Sequence, residues 1–153
     1  MKLNQPLSLS LHALLHMAER PDASMTSADL ATCMNTNPVV IRRTFAGLRK
    51  AGIVTSAKGH GGGWRLQRKP AAITLDHVQR ALGERVVAYS ASDAPPQCLV
   101  NRAVHNALDE AMAAATGLLD QRLATLTLAD LMADVKRLHA AIPKNRKGKQ
   151  HAA

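Results

Sequence analysis

Ala51-Gly52-Ile53-Val54-Thr55-Ser56-Ala57-Lys58-Gly59-His60-Gly61-Gly62-Gly63-Trp64-Arg65-Leu66 is the stretch on which the fold turns. Ile53 to Ser56 reads as one strand and Trp64 to Leu66 as its return, joined by the loop Lys58 to Gly63. Four glycines fall within the five residues 59–63, more than an ordinary hairpin turn needs. Gly59, Gly61 and Gly62, with His60 among them, would let the backbone adopt positive φ and approach a sugar–phosphate surface closely. Lys58, Arg65, Arg68 and Lys69 supply charge around it. A nucleotide-phosphate loop would need a Lys-Ser or Lys-Thr pair after the glycines and a helix opening there, and neither occurs. A merely flexible turn is the plainer alternative.

Working upstream, a helix should run from Pro38 to about Ala51 and close at Gly52. Asn37 stands at its N-cap and Pro38 at N1, where a missing N–H costs nothing. At 100° per residue Ile41, Phe45 and Leu48 share one face, while Val39, Arg43, Ala46 and Lys50 lie on the other, flanked by Arg42 and Arg49. A shorter helix starts at Thr26, whose hydroxyl caps the first turn, with Asp29 at N3 favourable to the dipole. Helix, turn, second helix and basic hairpin then follow one another in helix-turn-helix-plus-wing order. On a lone helix the four cations would be read as a solvated face. Beside a glycine-rich basic hairpin they suit a recognition helix entering the major groove of double-stranded DNA.

Three motifs, Arg49-Lys50-Ala51-Gly52-Ile53-Val54, Gly59-His60-Gly61-Gly62-Gly63-Trp64-Arg65-Leu66 and Ile73-Thr74-Leu75-Asp76-His77-Val78, resemble in order and spacing those of the Rrf2 family of winged-helix regulators, the group of IscR and NsrR. Weaker similarity extends from Met1 to about Leu138. The resemblance implies a homodimeric bacterial transcription factor, usually a repressor, on a pseudo-palindromic operator. In that setting Arg43 is expected to read bases, with Val39 and Val40 against thymine methyls and Arg42 in either role. Arg49, Lys50, Lys58 and Arg65 are expected on the phosphate backbone. IscR-type members carry polar and acidic residues where this chain has Val39, Val40 and Arg42, so their operator does not transfer. Proline is common in the family where His60 stands. Protonation of that histidine would strengthen wing contacts, and an exposed loop histidine without a role is the alternative. A winged-helix module that joins proteins without choosing among duplexes is the rival reading.

Several members hold an iron–sulfur cluster on three clustered cysteines. Only Cys98 lies in that part of this chain, with Cys33 far away, so no cofactor is expected and the chain resembles the clusterless branch. Cys98 follows Pro95-Pro96-Gln97 at a helix start, where free N–H groups favour a thiolate. It is either a thiol sensor or a small residue packed at a dimer interface. Cys33, between Ala31 and Met34, reads as a buried spacer.

Charge is divided along the chain. Residues 1–70 hold ten Lys/Arg against three Asp/Glu, residues 71–141 six against eight, and residues 142–153 four against none. This predicts a mostly α protein with a small β-wing, in four parts: a winged helix-turn-helix domain over 1–83, a linker over 84–97 containing Ser90, Ser92, Pro95 and Pro96, dimerisation helices over 98–141, and a disordered basic tail over 142–153. Val100, Val104, Leu108, Ala111, Ala115, Leu118 and Leu119 form one seam of a helix running to about Leu123. An alanine-rich seam of that length suits a crossing symmetry mate, and folding back on its own core is the alternative. Thr127-Leu128-Ala129-Asp130 opens a last helix through Leu131, Val135 and Leu138. No apolar run is long enough for a bilayer and no cleavable leader pattern is present, so the expected location is the cytoplasm.

A first helix from about Leu7 to Glu19 carries His12 and His16 at i, i+4. Without a third ligand they read as core-edge histidines rather than a zinc site. Ser8 and Ser10 near its start are candidates for phosphate contacts or plain caps. Trp64 reads as the anchor of the wing. With Phe45 in the core and Tyr89 in the linker, the chain has no aromatic platform for single strands. No nucleophile, base and oxyanion donors converge, which leaves no basis for an enzyme.

Overall fold

The computed structural model describes residues 5–83 and 98–142. The expected linker over 84–97, with Tyr89, Ser90, Ser92, Pro95 and Pro96, and the tail from Pro143 onward lie outside these residues. The element order is α1 (Gln5–Glu19), α2 (Ser27–Cys33), α3 (Pro38–Lys50), β1 (Val54–Ala57), β2 (Gly63–Leu66), a single 3-10 turn (Pro70–Ala72), α4 (Leu75–Leu82), α5 (Leu99–Thr125) and α6 (Leu128–Ala141). The fold is mostly α with a two-stranded antiparallel sheet.

Local chemistry sets most of these boundaries. Thr26 and Asp29 close a capping box on α2, the Thr26 hydroxyl accepting from the Asp29 N–H at 3.1 Å and the Asp29 carboxylate from the Thr26 N–H at 2.9 Å. Thr127 and Asp130 repeat it on α6. In both, hydrogen bonds from the threonine hydroxyl and backbone hold the carboxyl below the usual carboxylate range. The Asn37 side chain accepts from the Val39 N–H at 2.8 Å and Pro38 occupies the first turn, which starts α3 as its sequence demands. At the other end of α3 the backbone turns through Gly52 at φ 68°, a left-handed conformation that glycine adopts without cost. The Arg68 guanidinium donates to the Ala51 carbonyl at 3.0 Å, so this cation, read from sequence as wing charge, caps a helix end. On α4 the partner of Thr74 is His77, whose Nδ1 accepts from the Thr74 N–H at 3.2 Å, replacing the usual carboxylate of a capping box.

The core gathers Leu14 and Met17 of α1, Leu30 of α2, Ile41, Phe45 and Leu48 of α3, Ile53 and Val54 of the wing, Ile73, Val78, and Leu128 of α6. The three predicted core positions of α3 are all fully buried. Each such side chain contributes roughly 1.5–3 kcal/mol relative to exposure. Two crossings tie the last helices to this core: the Leu75 N–H donates to the Leu126 carbonyl and the Leu128 N–H to the Ile73 carbonyl, both at 2.9 Å. The N-cap threonines of α4 and α6 thus lie side by side as an antiparallel bridge.

Three sequence expectations change. Cys33 is exposed rather than a buried spacer, because Leu30 and Ala31 occupy the inward face of the two-turn α2. Ser10 is fully buried among the residues α1 turns inward, so it does not reach a phosphate, whereas Ser8 is exposed. The first strand begins at Val54 rather than Ile53, whose N–H is taken by the Leu48 carbonyl at 3.0 Å as the chain leaves α3.

α5 departs from the core. Its 27 residues span about 40 Å at 1.5 Å per residue, yet Leu123 is its one buried residue. Leu99, Val100, Val104, Leu108 and Leu118 are 52–71% exposed, so the described part of the chain leaves the seam bare at these positions while its end at Leu119 and Leu123 is half-buried and buried.

Candidate nucleic-acid interface

α3 turns its Ile41-Phe45-Leu48 face inward and leaves Val39, Val40, Arg42, Arg43, Arg49 and Lys50 exposed. Val39 at 59% and Val40 at 43% exposure are apolar side chains left in water on a helix with ample polar choices. Among the described residues none of Arg42, Arg43, Lys50, Lys58 and Arg65 takes part in an ion pair. Their charge is therefore not neutralised locally and is free for a polyanion. Arg49 differs, since its guanidinium donates to the Ser56 hydroxyl at 3.3 Å and ties β1 to the end of α3.

The wing pairs Val54 with Leu66, Thr55 with Arg65, Ser56 with Trp64 and Ala57 with Gly63. Arg65 and Lys58 are exposed on it. The four loop glycines divide into two kinds. A Cβ on Gly62 would lie 2.4 Å from the Ala57 carbonyl oxygen, and one on Gly63 would lie 2.8 Å from that of Met25. These two glycines are demanded by the packing of the wing itself. Gly59 and Gly61 have φ of 91° and 74° with open space where a side chain would go, so these two, on either side of exposed His60, leave the backbone bare toward solvent.

Trp64 holds the wing in place. It is nearly buried, meets Phe45 edge-on with centroids 5.1 Å apart, and donates from Nε1 to the Ser27 hydroxyl at 2.9 Å. Sequence reading missed the segment that receives it. The Met25 and Trp64 backbones exchange hydrogen bonds at 3.1 and 2.8 Å, and the Ser24 hydroxyl donates to the Gly61 carbonyl at 2.7 Å. Ser24 to Ser27 thus forms a short third edge fastening the wing; the lone apolar Met25 between polar neighbours was its only trace. A groove of about 460 Å³ separates α1 from the turn between α2 and α3, lined among others by Ser8, Leu9, His12, Met34 and Val40. Cys98 stands exposed at the N-cap of α5. The backbone N–H groups of Asn101 and Val100 hold its thiol below the ordinary range.

A helix-turn-helix continued by a fastened two-stranded wing, with unneutralised cations on both, defines a DNA-binding transcriptional regulator. The chain belongs to the Rrf2 family, whose family model, described as an iron-dependent transcriptional regulator, matches residues 3–134. YwnA of Bacillus subtilis (strain 168), an HTH-type transcriptional regulator by name, is 34% identical over 131 residues, covering 85% of this chain and 96% of YwnA. Among solved structures, T. potens IscR superposes with a TM-score of 0.64 at 22% identity, covering 94% of this chain and 93% of that one. Staphylococcus aureus CymR gives 0.66 at 18%, covering 84% and 96%; at these identities the likeness is one of fold. The family model and YwnA are both described as transcriptional regulators rather than enzymes. No helix among the described residues is long and apolar enough to cross a membrane.

The family description implies iron, and the donor set here does not fit an iron–sulfur cluster. The chain has two cysteines, Cys33 at the end of α2 and Cys98 at the start of α5, where a cluster needs about four ligands. Among the described residues no group of three or more His, Cys, Asp or Glu is placed to hold a metal.

Proposed function

We propose that the chain works as a homodimeric, cytoplasmic repressor on a pseudo-palindromic operator, with residues 1–83 as the reading domain and 98–141 as the assembly helices. The observation that carries this is the juxtaposition of exposed Val39, Val40, Arg42 and Arg43 on α3 with the unpaired Lys58 and Arg65 of the wing. Arg43 has the length and fork to bond a guanine edge from a helix in the major groove, and the two valines offer methyl groups to thymines. Arg49, Lys50, Lys58 and Arg65, with the backbone at Gly59 and Gly61 on either side of His60, serve the phosphates, while Gly62 shapes the loop from within. The uncovered seam of α5 supports a second copy of the chain crossing it. A dimer would set two α3 helices in successive major grooves, about 34–36 Å apart.

Quantitative binding to selected genomic duplexes tests the assignment. Arg43→Ala is expected to cost about 1–3 kcal/mol on the preferred site and to relax base preference. Lys58→Ala should weaken all duplexes alike and lower the slope of affinity against salt by about one. Equal affinity for every duplex at moderate salt would favour the protein-joining module instead.

Cys98 is the proposed sensor of this regulator. Because N–H groups at the start of α5 favour its thiolate, the rate of Cys98 alkylation is expected to level off at a lower pH than for a free thiol, near 8.5. Peroxide treatment should weaken operator binding by wild type and leave Cys98→Ser unaffected. Unchanged affinity in both would assign Cys98 to packing.

A further inference from the structure

We propose that His12 and His16 form a mononuclear binding site for a borderline divalent transition metal, of the Cu²⁺, Ni²⁺ or Zn²⁺ kind, completed by solvent. The two Nε2 atoms converge to 3.0 Å, with ring centroids 4.8 Å apart and planes 32° from parallel. Two imidazoles bound to one ion at 2.0–2.1 Å, at the 90–110° angle of square-planar or tetrahedral geometry, hold their nitrogens about 2.9–3.4 Å apart. The side chains are therefore spaced for an ion with no change of backbone. Without metal the same approach is an N–H···N hydrogen bond, in which one ring donates and the other accepts. Metal binding at both Nε2 atoms moves that proton to Nδ1 of the donating ring, so two neutral imidazoles ligate the ion with no net proton released.

A second observation concerns the far side of His16. Its Nδ1 faces the Glu19 carboxylate at 3.7 Å, longer than a hydrogen bond but on the side from which a carboxylate offsets the charge of a bound ion. Glu19 thus stands behind the ligand rather than beside the ion, which makes this a two-histidine site with open positions. His12 also lines the groove between α1 and the helix-turn-helix, which puts the ion next to the element that meets DNA. Among the described residues neither Cys33 nor Cys98 joins the two histidines in a ligand group.

The test uses Cu²⁺ with the full chain carrying Cys33→Ser and Cys98→Ser, so that no thiolate competes. One equivalent should bind per chain, with two nitrogen ligands in the electron paramagnetic resonance spectrum. Substoichiometric Cu²⁺ should first broaden the amide resonances of residues 9–19 in an NMR spectrum. His12→Gln and His16→Gln should each abolish this binding with the fold intact by circular dichroism. Glu19→Gln should weaken it by about tenfold, and His105→Gln should leave it unchanged. Broadening centred elsewhere, or the same affinity in His12→Gln/His16→Gln, would overturn the proposal.

Discussion

Trp64→Ala is expected to lose about 3–5 kcal/mol of unfolding free energy, the range for removing a large aromatic from a packed site. The side chain is 8% exposed and stands edge-on to fully buried Phe45, so its loss leaves a cavity between wing and core. Domains of this size are stable by only 5–15 kcal/mol, so the change removes a large share of the total. Because Trp64 is the one tryptophan, the variant must be followed by far-UV circular dichroism in a urea titration. In the parent, its fluorescence reports the docking of the wing alone. Trp64→Phe separates the two contributions: it keeps the aromatic contact and loses the bond to Ser27, at about 1 kcal/mol. If the wing depends on this anchor, Trp64→Ala should also weaken duplex binding under conditions where the protein remains folded. Full duplex affinity in that variant would show that the wing is held by Met25 and Ser24 without it.

Gly47 is the second position where a small change should be costly. It lies inside α3, where alanine is ordinarily favoured over glycine by roughly 1 kcal/mol. Here a Cβ would stand 2.4 Å from the Ala81 carbonyl oxygen of α4, far inside the van der Waals separation of a non-bonded carbon and oxygen. The obstacle is backbone, so α4 itself must shift, and overpacking of this kind costs about 1–3 kcal/mol or more. Gly47→Ala is therefore expected to destabilise despite its better helix propensity, and Gly47→Val to do so more strongly, since a branched side chain adds bulk and forfeits the propensity gain. The sign for alanine decides the matter in a thermal melt: a raised midpoint would mean that α3 and α4 are not in backbone contact.

These two residues mark how far the sequence could be read. Trp64 was legible as an anchor because an isolated aromatic at the return of a glycine loop has few other uses. Gly47 was not, because a glycine within a helical pattern carries no sign of which backbone passes beside it. The glycines of the wing show the same divide. Their number announced an unusual loop, but the split between Gly62 and Gly63, needed for packing, and Gly59 and Gly61, left bare, depends on where the Ala57 and Met25 carbonyls fall. Cys33 and Ser10 face opposite to their sequence expectation for a related reason. One lies on a helix of two turns and the other near a helix start, where a shift of one residue in phase, about 100°, moves a side chain from one face to another.

The order of elements, the caps at Thr26, Asn37 and Thr127, and the inward face of α3 were determined by the sequence alone, because each follows from groups within about four residues of one another. Tertiary structure decided the fastening of the wing by Ser24 and Met25, the contact at Gly47, and the exposure of the α5 seam. All of these depend on the rotation and approach of whole elements, which hydrophobic burial sets across the entire domain and which local spacing does not encode.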